Sequence, residues 1–144
     1  MTKYLHYIIG SIAVLFVPIY GILIAVAMAI ILDTFTGIFK SVKLRGWKSI
    51  RSRNLSNIVS KMLLYEVCIV FLFLIDKYLL NEFVQHAFGF EFMFTKICAI
   101  VLIFIELVSI KENVEESFNI DIWALLKKLL NRAKEVRSDI NQIS

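Results

Sequence analysis

Tyr4-Leu-His-Tyr-Ile-Ile-Gly10-Ser-Ile-Ala-Val-Leu-Phe-Val-Pro18-Ile-Tyr-Gly-Ile-Leu-Ile-Ala-Val-Ala-Met-Ala-Ile-Ile-Leu32 runs for 29 residues without an Asp, Glu, Lys or Arg. A helix on the surface of a soluble domain needs one apolar stripe, because its other face meets water. An uncharged apolar run beyond about 18 residues describes a helix solvated by lipid. The run stops at Asp33-Thr-Phe-Thr-Gly37, and a strongly basic stretch follows. That join between lipid-type and water-type sequence sets the reading of everything else.

Pro18 divides the run. Residues 4–17 make about 21 Å of helix, short of the roughly 30 Å hydrocarbon layer. Residues 18–42 are long enough to cross, and proline suits the first turn of a helix, where its missing N–H costs nothing. Residues 1–17 are therefore expected to form a short apolar interfacial or re-entrant helix, with one long kinked helix as the alternative. A cleaved leader is disfavoured, since the apolar character continues well past any small-residue cleavage site.

The composition agrees with a membrane class. Of 144 residues, 59% are hydrophobic and 19% charged, below the ~25% charged share of soluble domains. The net charge of +4 does not indicate a nucleic-acid partner, because the basic residues flank apolar runs, as at a membrane surface. Residues 40–53 carry Lys40, Lys43, Arg45, Lys48, Arg51 and Arg53 and no acid, which predicts a cytoplasmic loop. Ser52, Asn54, Ser56 and Asn57 offer N-caps for a second span over 55–80. Asp76 and Lys77 mark its far interface. Residues 81–91, with Glu82, His86 and Glu91 and no Lys or Arg, read as an outside loop. A third span follows over 92–110, returning the chain to the cytoplasm at Lys111.

The fold expected is an all-α integral membrane protein: a three-span domain over 18–110, the N-terminus outside, and an amphipathic cytoplasmic tail over 111–144. Asn119 or Asp121 is placed to cap a tail helix starting near Ile122. Ile122, Leu126, Leu129, Ala133, Val136 and Ile140 form a heptad-like seam, with Lys127, Lys128, Arg132, Lys134 and Arg137 around it. Two readings of this helix stay open: it lies on the inner leaflet or packs on the bundle, or it joins protomers as a short coiled coil.

No nucleotide loop, catalytic triad or metal cluster can be assembled, so no enzyme, cofactor or metal is expected. Gly10, Gly21, Gly37, Gly46 and Gly89 have no phosphate-binding spacing. Cys68 and Cys98 lie in apolar runs and read as small interface residues, not as a disulfide or metal pair. The informative residues are ionisable groups at membrane depth, which usually face a partner or water. Asp33, Thr36, Gly37 and Lys40 share one helix face. Lys61 stands at a comparable depth on the next helix, so an Asp33–Lys61 ion pair is predicted, against the simpler reading of a snorkelling lysine. Glu106, Ser109 and Asn113 make a second polar stripe. Glu66 is deeper and has no evident partner.

In their order and membrane positions these elements resemble the phage holin family associated with toxin secretion and phage lysis. They are the D-x-x-T-G of Asp33 to Gly37 after an apolar helix, the basic loop, Lys61 early in the second helix, and the E-x-x-S-I-x-E-N of Glu106 to Asn113 closing the third. The likeness runs from about Pro18 to the tail. It implies a small protein of the bacterial inner membrane that oligomerises with its own copies and opens a lesion through which a muralytic enzyme or toxin leaves. The matched positions are Asp33, Gly37, Lys61, Glu106, Ser109 and Asn113, none of them catalytic. A small structural or regulatory membrane subunit, binding a partner through its basic tail, is the competing reading.

Overall fold

The structure, a computed structural model, describes the backbone of residues 2–49 and 52–143, and the side chains of 4, 6–7, 10–11, 13–48 and 56–135. The expected caps Ser52 and Asn54, the basic Arg51, Arg53 and Arg137, and the seam positions Val136 and Ile140 lie outside the described side chains. Among the described residues the chain is all-helical. Helix α1 (Thr2–Phe16) meets a 3-10 turn over Val17–Ile19 and continues as α2 (Tyr20–Arg45). Helix α3 (Ser52–Ile75) passes through one π-helical turn, Asp76–Leu80, into α4 (Asn81–Phe88); α5 (Met93–Phe118) and α6 (Ile122–Ile143) follow. Pro18 sits inside the 3-10 turn, where it removes no α-helical hydrogen bond.

Three helical stretches, Ala13–Arg45, Ser56–Phe88 and Met93–Phe118, are long and apolar enough to cross a membrane. Only 22, 11 and 17% of their most apolar stretches are buried within the chain, so most of that apolar surface is satisfied by no other part of the protein. The chain exposes 11354 Å² at 16.7 kDa, against about 7,600 Å² for a soluble monomer of that mass. Phe35, Leu63, Leu64, Val67, Phe71, Ile100 and Phe104 are among the exposed large apolar side chains. In water that surface would aggregate; in hydrocarbon it is the solvated face.

Helix α2 packs most extensively on α5, and α3 closes the third side. The apolar core is Ile19, Val26, Ile30, Ile69, Phe73 and Ala99. The buried positions Ile19, in the 3-10 turn, and Val26, Ala29, Ile30 and Asp33 of α2 keep to one stripe, so the same face that is apolar at one end becomes polar at the other. From α1, Leu15 and Phe16 reach this core, with the Phe16 ring 6.0 Å from that of Phe73.

Two local readings change. Residues 81–88 are helical, not an open loop. Nothing between Asp76 and Phe88 breaks a helix; the break comes at Gly89, which takes φ +70, a conformation glycine adopts at no steric cost. At the other end, α5 continues to Phe118, past Ile110, where Asn113, Glu116 and Phe118 still meet α2. Asn119 terminates α5 in the left-handed region. It is Asp121 that caps α6, its Oδ1 accepting from Ala124 N–H at 3.0 Å. The Glu115 side chain reaches over this corner to Ile122 N–H at 3.0 Å.

Candidate functional site

The polar faces of α2, α3 and α5 meet toward the end of the bundle that carries Lys43, Arg45 and Lys48. Lys61, from α3, inserts between the other two helices. Its Nζ lies 3.0 Å from Asp33 Oδ2 and 3.0 and 3.3 Å from the two Glu106 oxygens. Glu106 is completely buried, and Asp33 nearly so. One ammonium thus bridges two carboxylates on different helices. This arrangement fixes the rotational setting of all three, because turning any one by a single residue removes its group from the site.

Asn113, two turns along α5 from Glu106, joins the same network. Its Nδ2 donates to Asp33 Oδ1 at 3.2 Å and to Thr36 Oγ1 at 3.4 Å. Its Oδ1 accepts from Lys40 Nζ at 3.3 Å, and Lys40 also pairs with Glu116 at 2.8 Å. Ser109 lines the same cleft as Asp33. Gly37 leaves room for this asparagine: a Cβ there would stand 3.5 Å from Asn113 Nδ2. A cleft of about 320 Å³ opens onto the cluster, lined among others by Asp33, Gly37, Lys40, Lys61, Ser109 and Asn113.

Of the residues singled out in the sequence, Asp33, Thr36, Gly37, Lys61, Glu106, Ser109 and Asn113 are brought together here. Glu66 is not: it lies further along α3, partly exposed, with no hydrogen-bond partner among the described residues. Sequence reasoning placed Glu106 with Ser109 and Asn113 and did not join it to Lys61. It missed Glu116, although that residue follows Asn113 by three positions on the same helix. Counted as ionised, the cluster sets three carboxylates against two ammonium groups, all of them linked. Such a network suits holding helices in register, and nothing in it forms a nucleophile–base pair.

The opposite end of the bundle is fastened differently. Buried Asp76 accepts from both the Thr95 backbone N–H, at 2.7 Å, and its hydroxyl, at 2.6 Å. Thr95 is the third residue of α5, so its N–H is one of the four that a helix start leaves unpaired, and Asp76 caps α5 from the neighbouring helix. A π turn begins at Asp76. At the basic end, Phe39 stacks on Phe118 with ring centroids 5.8 Å apart, and Lys43 Nζ stands 3.9 Å over the Phe118 ring.

Comparison with curated proteins and with solved structures finds no match. The sequence pattern of one family does match, over residues 10–135 of the chain. That span takes in all three long helices, the polar cluster between them and most of α6. On this match, and with three helices long and apolar enough to cross a membrane, the chain belongs to the bacteriophage holin family.

Proposed function

We propose that this holin-like membrane protein assembles with its own copies in the bacterial inner membrane and permeabilises it, releasing a lytic enzyme or a toxin from the cytoplasm. One observation carries the reading: Asp33 of α2, Lys61 of α3 and Glu106 of α5 meet in a shared interior, while the outer faces of the same helices are largely apolar. A monomer keeps that polar ladder closed on itself. Copies that part α2 and α3 from α5 and repack side by side could instead turn Asp33, Lys61, Glu106 and Asn113 toward a common aqueous lumen, each contact being worth only about 0.6 kcal/mol in a membrane. Many weak contacts spread over many copies make such a transition depend steeply on surface density.

The orientation follows from charge. Lys40, Lys43, Arg45 and Lys48 place the α2–α3 corner in the cytoplasm, with the α4 corner outside and α6 inside. In α6, exposed Trp123, Leu126, Leu129 and Leu130 lie on a helix that also carries Lys127, Lys128, Arg132 and Lys134, a composition suited to the anionic inner leaflet. The second reading, a regulatory subunit that binds a partner protein through this helix, draws on the same exposed face.

Induced expression in bacteria separates them. A sudden, timed collapse of membrane potential, with release of a co-expressed cytoplasmic lysozyme, is the expected result. Continued growth with intact potential at high membrane levels of the protein would refute permeabilisation and leave the partner-subunit reading.

A further inference from the structure

Cys68 on α3 and Cys98 on α5 are both free thiols, and their Sγ atoms are 3.9 Å apart. They are thirty positions apart in the chain and come from two different spanning helices, so only the tertiary packing brings them together. Cys68 is exposed and Cys98 partly so, and Cys68 stands about two helical turns along α3 from Lys61. The surroundings are apolar: Val67 and Ile97, adjacent in sequence, are both exposed large hydrophobics. No ligand or second polar group accounts for the pairing among the described residues.

We propose that Cys68 and Cys98 are an oxidisable pair that staples α3 to α5 within one chain. The sulfurs stand in van der Waals contact at 3.9 Å, and a disulfide needs them to approach to about 2.05 Å, a gap that rotation about the two Cα–Cβ bonds and a small helix shift would close. The oxidant is a lipid-soluble two-electron acceptor, a quinone or a diazene. Two S–H bonds break and one S–S bond forms. The two electrons and two protons pass to the acceptor, leaving a hydroquinone or a hydrazine. The product joins the helix that carries Lys61 to the helix that carries Glu106, independently of their ion pair. This extends to regulation: if permeabilisation requires α3 and α5 to separate, the oxidised chain is latched. That second step rests on the function proposed above, and the first does not.

The test uses the full-length protein in membrane vesicles and again in detergent micelles, treated with diamide. The expected product is a monomer lighter by two hydrogens, with no thiol left for maleimide after denaturation and with both thiols recovered on reduction. Cys68→Ser and Cys98→Ser each keep one thiol and gain no such product. Two thiols surviving diamide in micelles, or disulfides formed between chains in place of the internal one, would overturn the staple. Vesicles loaded with a dye then test the latch. Reduced protein is expected to release dye several-fold faster than oxidised protein, with Cys68→Ser insensitive to diamide. Equal release by oxidised and reduced wild-type protein refutes the latch; a reduced protein that releases nothing refutes the permeabilising function and leaves the staple standing on its mass.

Discussion

At Lys61 one ammonium serves two carboxylates, and its removal strands both. Replacing it by Met leaves fully buried Glu106 without its cation; with the Lys61 side chain 41% accessible, a loss of about 2–4 kcal/mol is expected, under or within the range for breaking a buried pair. Thermal unfolding in detergent micelles measures this. Adding Glu106→Gln to Lys61→Met should cost less than the two single changes summed, because the second change removes one of the stranded charges; strict additivity would show that the contact carries no coupling. Gly37 gives a graded test of the contact between α2 and Asn113. Gly37→Ala meets Asn113 at ordinary contact distance and is expected to change stability by under about 0.5 kcal/mol. Gly37→Leu displaces Asn113 from Asp33 and Thr36 and should lower the melting temperature clearly. The Asp33–Lys61 pair was legible because helix depth can be counted from the basic loop. Glu106 as the third member was not, since its meeting with Lys61 depends on how α5 is rotated against α3, and that rotation is set by packing around Phe73 and Ala99.

Helix termini are where the elements of this chain are decided. Asp121, not Asn119, starts α6; both residue types cap helices well, and only the left-handed turn taken by Asn119 at the end of α5 settles which does. Asp76 caps α5 from another helix, a relation no local pattern announces. Asp76→Ala is expected to cost about 1–2 kcal/mol, as for loss of an N-cap, and to expose the Thr95 amide to hydrogen exchange before the amides of mid-helix α5 residues. Asp76→Asn keeps an acceptor oxygen and should cost less. Protection of Thr95 unchanged in Asp76→Ala would show that the cap is dispensable. The helical state of residues 81–88 was hidden by composition: Asn81, Glu82, Gln85 and His86 read as loop, yet Val84 is buried on their inner side and no breaker precedes Gly89.

For the molecule in its bilayer, the three long apolar segments were readable from hydropathy alone, since lipid demands backbone hydrogen bonds satisfied within each segment. Their mutual arrangement was not, because apolar outer faces carry no information about which neighbour a helix prefers. The proposed orientation makes a direct forecast. In a chain lacking Cys68 and Cys98, a cysteine in place of Trp47 should be labelled by an impermeant maleimide only after the membrane is broken, while one replacing Gln85 should be labelled in intact cells. Labelling of position 47 from outside would invert the topology.

The joint at Pro18 has a mechanical corollary. Helix α1 touches the core through Leu15 and Phe16, while Tyr4, Tyr7 and Val14 further back are largely exposed. Those side chains of α1 thus meet whatever surrounds the bundle, and a change in bilayer thickness would be felt first at this end of the chain.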